Sequence, residues 1–295
     1  MSLPRVLVFS KTVDFRHDSI PTAIQVFQQQ ASNYNITFDF SEDATLFTNS
    51  SLAAYDGLLF LQNTGEVLDD EQQAALATYW QSGGVYTGVH ATSDCLRNST
   101  NYQDVVGAHF DYHPTIQNAE EEIYYFKSDP RAVGATLLLS VDESSYTDDG
   151  TSTGDFTMGS PHPIAWYIES PESAQPLLAN VPKAGRSFYT ALGHLNSTWE
   201  NPLYIQHVMS GLQWALEGAS TKAYGVGVVG SDAGVSVSTS SASGSAVSTP
   251  AATGTGSSSS SVPSATSSSK TSGAERLYPF LGLILMATFL GYLFV

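Results

Sequence analysis

Apolar runs and polar breaks alternate regularly along most of the chain. Arg5–Ser10 reads RVLVFS, a short run with β-branched residues that predicts a buried strand. Ile20, Ala23, Ile24 and Phe27 then fall at helical spacing, with Pro21 suited to a first turn, which predicts a helix over residues 19–32. Asn35–Phe40 alternates and predicts a second strand, and Asn49–Tyr55 a turn or short helix. Tyr55–Gln62 is apolar through its middle, a third strand. Asp69–Ser82 sets Leu76, Tyr79 and Trp80 on one helical face. Asp69, Asp70 and Glu71 sit at its start, where the helix dipole favours acids, and Gly83-Gly84 stops it. Val85–Val89 is a fourth strand that runs straight into His90.

The following stretch is richer in loops. Glu122–Phe126, Ala135–Val141, Ile164–Glu169 and Arg186–Ala191 predict further strands. Asn201–Glu217 predicts a final helix buried along Ile205, Val208, Met209 and Leu212, ended by Gly218. Apolar strands alternating with helices predict an α/β domain over 4–220, with a mostly parallel sheet covered by helices on both faces.

The pattern then collapses. From Gly230 to Ser272 the chain is almost only Ser, Thr, Gly, Ala, Val and Pro. Such a tract cannot offset its ordering entropy with buried apolar area, so 229–275 is expected to be a disordered stalk. Leu277–Val295 carries no charge and, at about 1.5 Å per residue, is long enough to cross a bilayer core. Two membrane readings follow for 277–295: a retained transmembrane helix as a tail anchor, or a GPI-attachment signal, with small residues at Ser267, Ser268 and Ser272 to Ala274 ahead of it. The stalk and the glycosylation sequons at Asn35, Asn49, Asn98 and Asn196 favour a GPI-anchored, cell-surface glycoprotein. The start MSLPRVLVFSK has no apolar stretch of signal-peptide length, which keeps the tail-anchored membrane protein open.

Charge and cysteine usage narrow the partners. The formal net charge is -17 over 295 residues, and an acidic surface repels phosphate backbones, so no nucleic acid is expected as a partner. Cys95 is the only cysteine, so no intramolecular disulfide forms, and its surroundings suit a small apolar filler.

Polar and glycine residues gather where the predicted strands end, the place where open α/β sheets bind ligands. The segments are Ser10-Lys11-Thr12 with Phe15-Arg16-His17-Asp18-Ser19; Gly88 to Asp94 around His90; Gly107-Ala108-His109-Phe110 with His113-Pro114; Pro161-His162-Pro163 with Trp166; and Phe188 to His194 before Trp199-Glu200. Taken in order, VLVFSKTVDFRHDSIPTAI, GGVYTGVHATSD, VVGAHFDYHP, HPIAW and GRSFYTALGHLNSTWENP resemble the ThuA-like (trehalose utilisation) family. The resemblance implies a flavodoxin-like fold of the class I glutamine amidotransferase-like superfamily. In that superfamily a catalytic cysteine occupies the sharp turn after the strand equivalent to Val85–Val89. Here the position holds His90, which removes the amidotransferase chemistry, while His194 falls where the fold carries its catalytic histidine. The chain also lacks a stretch that family members usually carry between His113-Pro114 and the acidic-aromatic segment Glu121 to Tyr124.

The resemblance implies carbohydrate processing, an isomerase, lyase or hydrolase step on a glycoside or keto-sugar. His90, His194, Asp94 and Glu122 are the catalytic candidates, a ring nitrogen oriented by either carboxylate serving as general base. Lys11, Phe15, Arg16, His17, His109, His113, His162, Trp166 and Trp199 are the substrate-binding candidates, the aromatics by stacking on a sugar ring. Plainer roles exist for several: His17 as a helix cap, His109 and His162 as loop braces, Trp166 as core, His207 as structure. No cofactor is firmly implied. A divalent metal on His90, His194 and a third group is an alternative, although their spacing matches no local ligand motif. A small carbohydrate or glycan is the expected partner, together with a membrane through the C-terminal segment. The second functional reading is a non-catalytic glycan-binding or cell-wall protein that retains the fold.

Overall fold

The computed structural model describes residues 3–116, 123–148, 158–218 and 221–231. Glu122, the stalk beyond residue 231 and Leu277–Val295 lie outside the described residues. Among the described residues, no helix is long and apolar enough to cross a membrane.

The elements run β1 (Arg5–Phe9), α1 (Ile20–Tyr34), β2 (Thr37–Ser41), α2 (Asn49–Leu52), β3 (Gly57–Leu61), β4 (Thr64–Gly65), α3 (Asp70–Gln81) and β5 (Val85–Val89). They continue with β6 (Asp94–Cys95), α4 (Thr100–Val106), β7 (Phe110–Tyr112), β8 (Tyr125–Phe126), β9 (Thr136–Ser140), β10 (Pro163–Ile168), β11 (Ser187–Thr190) and α5 (Pro202–Glu217). A 7-stranded sheet in the order β2-β1-β3-β5-β11-β10-β9 forms the centre. From β2 to β11 every neighbouring pair is parallel, and the β11–β10 and β10–β9 pairs are antiparallel.

Strand side chains alternate between two cores, as a period of two requires. Val6, Val8, Leu59, Leu61, Val85 and Val89 face one core, with Ile20, Ala23 and Phe27 of α1 and Val208, Met209 and Leu212 of α5. Leu7, Phe9, Leu58, Phe60, Tyr86 and Tyr189 face the other, with Leu76, Tyr79 and Trp80 of α3 and Val105 of α4. Double coverage explains why these strands read as unbroken apolar runs. The start of α3 is closed by a reciprocal capping box: the Asp69 carboxylate accepts from the Gln72 N–H at 2.9 Å, and Gln72 Oε1 accepts from the Asp69 N–H at 3.0 Å.

Several short elements depart from the sequence reading: β4, β6, β7 and α4 are additional to it, and the strand expected over 122–126 is shorter. The helix α4 follows Ser99, whose hydroxyl accepts from the Tyr102 N–H. It is one short helix whose apolar face is only Tyr102, Val105 and Val106, too brief for a visible period. The strand expected over 122–126 reduces to β8, which pairs with β7 outside the main sheet.

The two edges of the sheet are occupied differently. At the amino edge, the fully buried Asp56 precedes β3. Its Oδ2 accepts from the N–H groups of Arg5 and Ser231 at 2.9 and 3.0 Å, and its Oδ1 from that of Ala223 at 3.1 Å. One carboxylate thus ties the first strand to the last described segment. The chain leaves the described domain at this edge. The carboxyl edge carries the loops in which the chemistry gathers.

Candidate functional site

Three of those loops converge. Beyond β1 the chain passes Phe15 and Arg16 to reach His17, two residues before the first turn of α1. Beyond β5 it turns sharply at His90, whose φ of 59° lies in the left-handed region, uncommon for residues other than glycine though less so for histidine. The Tyr189 hydroxyl donates to the His90 carbonyl at 2.8 Å, and the ring Nδ1 lies 2.6 Å from the Ala191 carbonyl. Beyond β11, Gly193 takes a φ of 130° and delivers His194. Ser19 donates to the Gly193 and His194 carbonyls, Gln62 donates to the Gly193 carbonyl, and so does the Trp199 indole at 2.8 Å.

The result is a compact polar cluster. His90 Nε2 lies 3.0 Å from His17 Nε2, 3.2 Å from His194 Nδ1 and 2.9 Å from the Tyr124 hydroxyl. One ligand-type nitrogen from each of His17, His90 and His194 lies within 4.8 Å of the others. His17 and His90 are buried and His194 is half-buried, so the cluster opens toward solvent on the His194 side. Burial, and then the neighbouring His90, His194 and His113, push the His17 pKa down to about 2. At neutral pH His17 is therefore an uncharged ring with a lone pair. The Ala191 carbonyl, being an acceptor, calls for the proton on His90 Nδ1 and leaves Nε2 as the acceptor of the neutral ring. Such a group can accept from Tyr124 or hold a cation, and imidazole rings can move protons.

The other sequence candidates distribute around this cluster or away from it. Phe15 is 62% exposed, its ring edge-on to His17 at 4.7 Å and stacked toward His194 at 6.3 Å, at the mouth of the site. His113 is exposed and stacks on Tyr124 at 5.9 Å. Arg16 turns outward into an ion pair with Glu42 at 2.6 Å. Lys11 donates to the Val67 carbonyl at 3.1 Å and lines a separate open groove of about 580 Å³ with Glu42, Thr45, Glu66, Asp69 and Gln72. None of the clustered histidines lines that groove.

Several expectations need correction. Asp94 does not orient a ring: it pairs with Arg97, and the ring of His90 is oriented by the Ala191 carbonyl instead. Glu122 lies outside the described residues. His17 does not cap α1, whose cap position is Ser19. Trp166 is fully buried, its indole N–H donates to the Val106 carbonyl at 2.8 Å, and it packs on Tyr189, so it presents no face to a sugar. Trp199 is 1% exposed and braces Gly193 from within the core, between Phe27 and Tyr204. His109 is buried beside Ser93, whose carbonyl lies 3.1 Å from its Nδ1, and burial pushes its pKa down. His162 is buried with Nε2 2.8 Å from the Tyr124 carbonyl and Nδ1 3.1 Å from Glu143. It reaches the site only through Tyr124. That tyrosine is the residue sequence reasoning missed. Its one signal was its place at the end of the acidic-aromatic segment.

A family model described as trehalose utilisation, ThuA, matches residues 5–215. The chain belongs to the ThuA family. Membership gives the domain a carbohydrate-related context and accounts for the order of the loop motifs at the carboxyl edge. Among solved structures, a ThuA-like protein from Bacteroides uniformis matches with a TM-score of 0.51 and 14% identity, covering 72% of this chain and 90% of that one. Another from Parabacteroides merdae gives a TM-score of 0.46 and 11% identity, covering 77% and 97%. At such identities the first likeness speaks for a ThuA-type fold and not for a particular reaction. No curated protein matches the chain.

Proposed function

We propose that this ThuA-family domain is a carbohydrate-processing enzyme whose chemistry runs at His17, His90, His194 and Tyr124. The observation that carries the reading is the convergence of the Tyr124 hydroxyl and two imidazole nitrogens on one nitrogen of His90, at 2.9 to 3.2 Å. Such an arrangement suits proton abstraction beside a carbonyl, as in an isomerase or lyase step on a keto-sugar, or hydrolysis of a glycoside. His194, nearest the opening, is the member of the cluster that would meet the substrate first. The Tyr124 hydroxyl is placed to give a proton to an oxygen. Phe15 offers an exposed aromatic face for the sugar ring at the mouth.

We further propose display at a membrane, with a GPI anchor favoured over a retained tail helix. The apolar end Leu277–Val295 and the Ser/Thr-rich tract before it support this reading. So does the exposure of all four sequon asparagines, Asn35, Asn49, Asn98 and Asn196, since glycan attachment needs surface positions. The mass and glycosylation of the protein from its native host test this: an unmodified, full-length chain contradicts the GPI anchor and leaves the retained tail helix.

The catalytic proposal is tested with a panel of oxidised and unoxidised disaccharides, followed by NMR, comparing wild type with His90→Ala and His194→Ala. Turnover of at least one sugar, reduced about 100-fold or more by either change, is expected. Turnover that survives both changes contradicts the assignment. Binding of glycans without turnover in wild type would favour the non-catalytic reading.

A further inference from the structure

We infer that His17 Nε2, His90 Nε2 and His194 Nδ1 form a tri-histidine site for one divalent transition-metal ion. The inference deepens the catalytic proposal by naming a cofactor for the same cluster. It starts from a count of lone pairs. With the Ala191 carbonyl at Nδ1, the neutral His90 ring has one in-plane lone pair on Nε2, which accepts one hydrogen bond. Three polar atoms nevertheless crowd that nitrogen: two more ring nitrogens at 3.0 and 3.2 Å and the Tyr124 oxygen at 2.9 Å. Hydrogen bonding uses one of these contacts. The convergence of three imidazole nitrogens on one buried point is the arrangement that ligands take round a cation.

The two spacings measured from His90 fit a metal, and the third nitrogen pair lies within 4.8 Å. Two nitrogen ligands at about 2.1 Å from one ion, at angles between octahedral and tetrahedral, are about 3.0 to 3.4 Å apart. The measured separations of 3.0 and 3.2 Å from His90 fall in that interval. The Ala191 carbonyl supplies the outer hydrogen bond that metal-bound histidines usually make. Imidazole-only ligation selects zinc, copper, nickel or iron over magnesium or calcium, which prefer oxygen. Three protein ligands leave a position for water or a substrate oxygen, on the side where His194 is half-buried and the Tyr124 hydroxyl borders the cluster. Held there, the ion would polarise a carbonyl or hydroxyl oxygen of the sugar. The ligands come from the turns after β1, β5 and β11, far apart in sequence, which is why no local motif announces them.

The test measures metal, not activity alone. The full chain purified without chelator is expected to carry about one equivalent of a transition metal by elemental analysis. After chelation, titration with zinc is expected to refill one site per chain. His17→Ala and His194→Ala are each expected to weaken that binding by more than about 100-fold, a larger loss than outer hydrogen-bond partners cause. Tyr124→Phe is expected to retain it. His194 is half-buried, so His194→Gln serves if His17→Ala does not fold. Absence of stoichiometric binding of zinc, copper, nickel and iron overturns the inference, as does binding unchanged in the His194 variants. Metal bound without any sugar turnover upholds this site and fails the catalytic proposal. Turnover that persists in demonstrably metal-free protein upholds the catalytic proposal and removes the ion from it.

Discussion

The amino and carboxyl edges of the central sheet both bury polar side chains, and they treat them in opposite ways. At the amino edge, Asp56 receives three backbone N–H groups, from Arg5, Ala223 and Ser231. Its lone pairs are matched to donors, and the cluster joins two ends of the domain. At the carboxyl edge, His90 Nε2 has more polar neighbours than one lone pair can use, and His90 itself sits at a φ of 59°. The matched edge stabilises the fold. The crowded edge gathers several ring nitrogens round one point, an arrangement suited to a ligand.

The strongest way to break the comparison is at the matched edge. Asp56→Ala leaves three N–H groups without their acceptor in a buried place and is expected to cost about 3 to 5 kcal/mol, read from urea unfolding. A loss within 1 kcal/mol, roughly the worth of one exposed hydrogen bond, would show that the carboxylate is not the tie it looks like. Sugar turnover of the remaining folded protein should be unchanged.

A smaller effect comes from His207 in α5, which belongs to neither edge. Burial lowers its pKa from 6.5 to about 4, and its Nε2 is buried without a partner. The unfolded chain takes up the proton first, so stability is full above pH 6.5 and is lost as pH falls toward 4. The loss is expected to reach at most about 3 kcal/mol, and His207→Leu should flatten this part of the curve. An unchanged pH dependence in the variant would reassign the acid sensitivity to other groups.

Gly193→Ala sharpens the comparison at the crowded edge. A Cβ there would stand 2.5 Å from the Tyr204 hydroxyl and 3.4 Å from His90 Cβ, at a φ of 130° that side chains avoid. A cost of about 2 kcal/mol is expected, together with weakened turnover, because the strain falls on the residue that delivers His194. Smallest in stability is Tyr124→Phe, expected to change unfolding by less than about 1 kcal/mol while lowering turnover about 100-fold. Equal turnover would remove Tyr124 from the chemistry.

Much of this was legible in the sequence, for reasons that can be named. The strands β1, β3 and β5 are covered on both faces, so they read as continuous apolar runs, and Val85–Val89 was delimited to the residue. Helix α3 announced itself through Asp69 and Gly83-Gly84. Helix α4 is too short for its period to emerge. At the site, His90 and His194 were legible from their positions after strands and from the family resemblance. Tyr124 was not, because nothing local distinguishes a tyrosine aimed at a histidine from one aimed at a core. The same ambiguity misled for Trp166 and Trp199, whose size suits a sugar platform and a core equally. Asp94 looked like a partner for His90 because it is near in sequence, yet the turn that exposes His90 carries Asp94 toward Arg97.

The histidine cluster is held for function at no gain in stability. The most direct test is the unfolding free energy of chelator-treated His194→Ala beside that of wild type treated alike, with turnover measured on both after zinc is returned. Equal or higher stability is expected in the variant, since one ring is removed from the crowded cluster, together with lost turnover. A destabilisation as large as that of Asp56→Ala, with turnover intact, would contradict it.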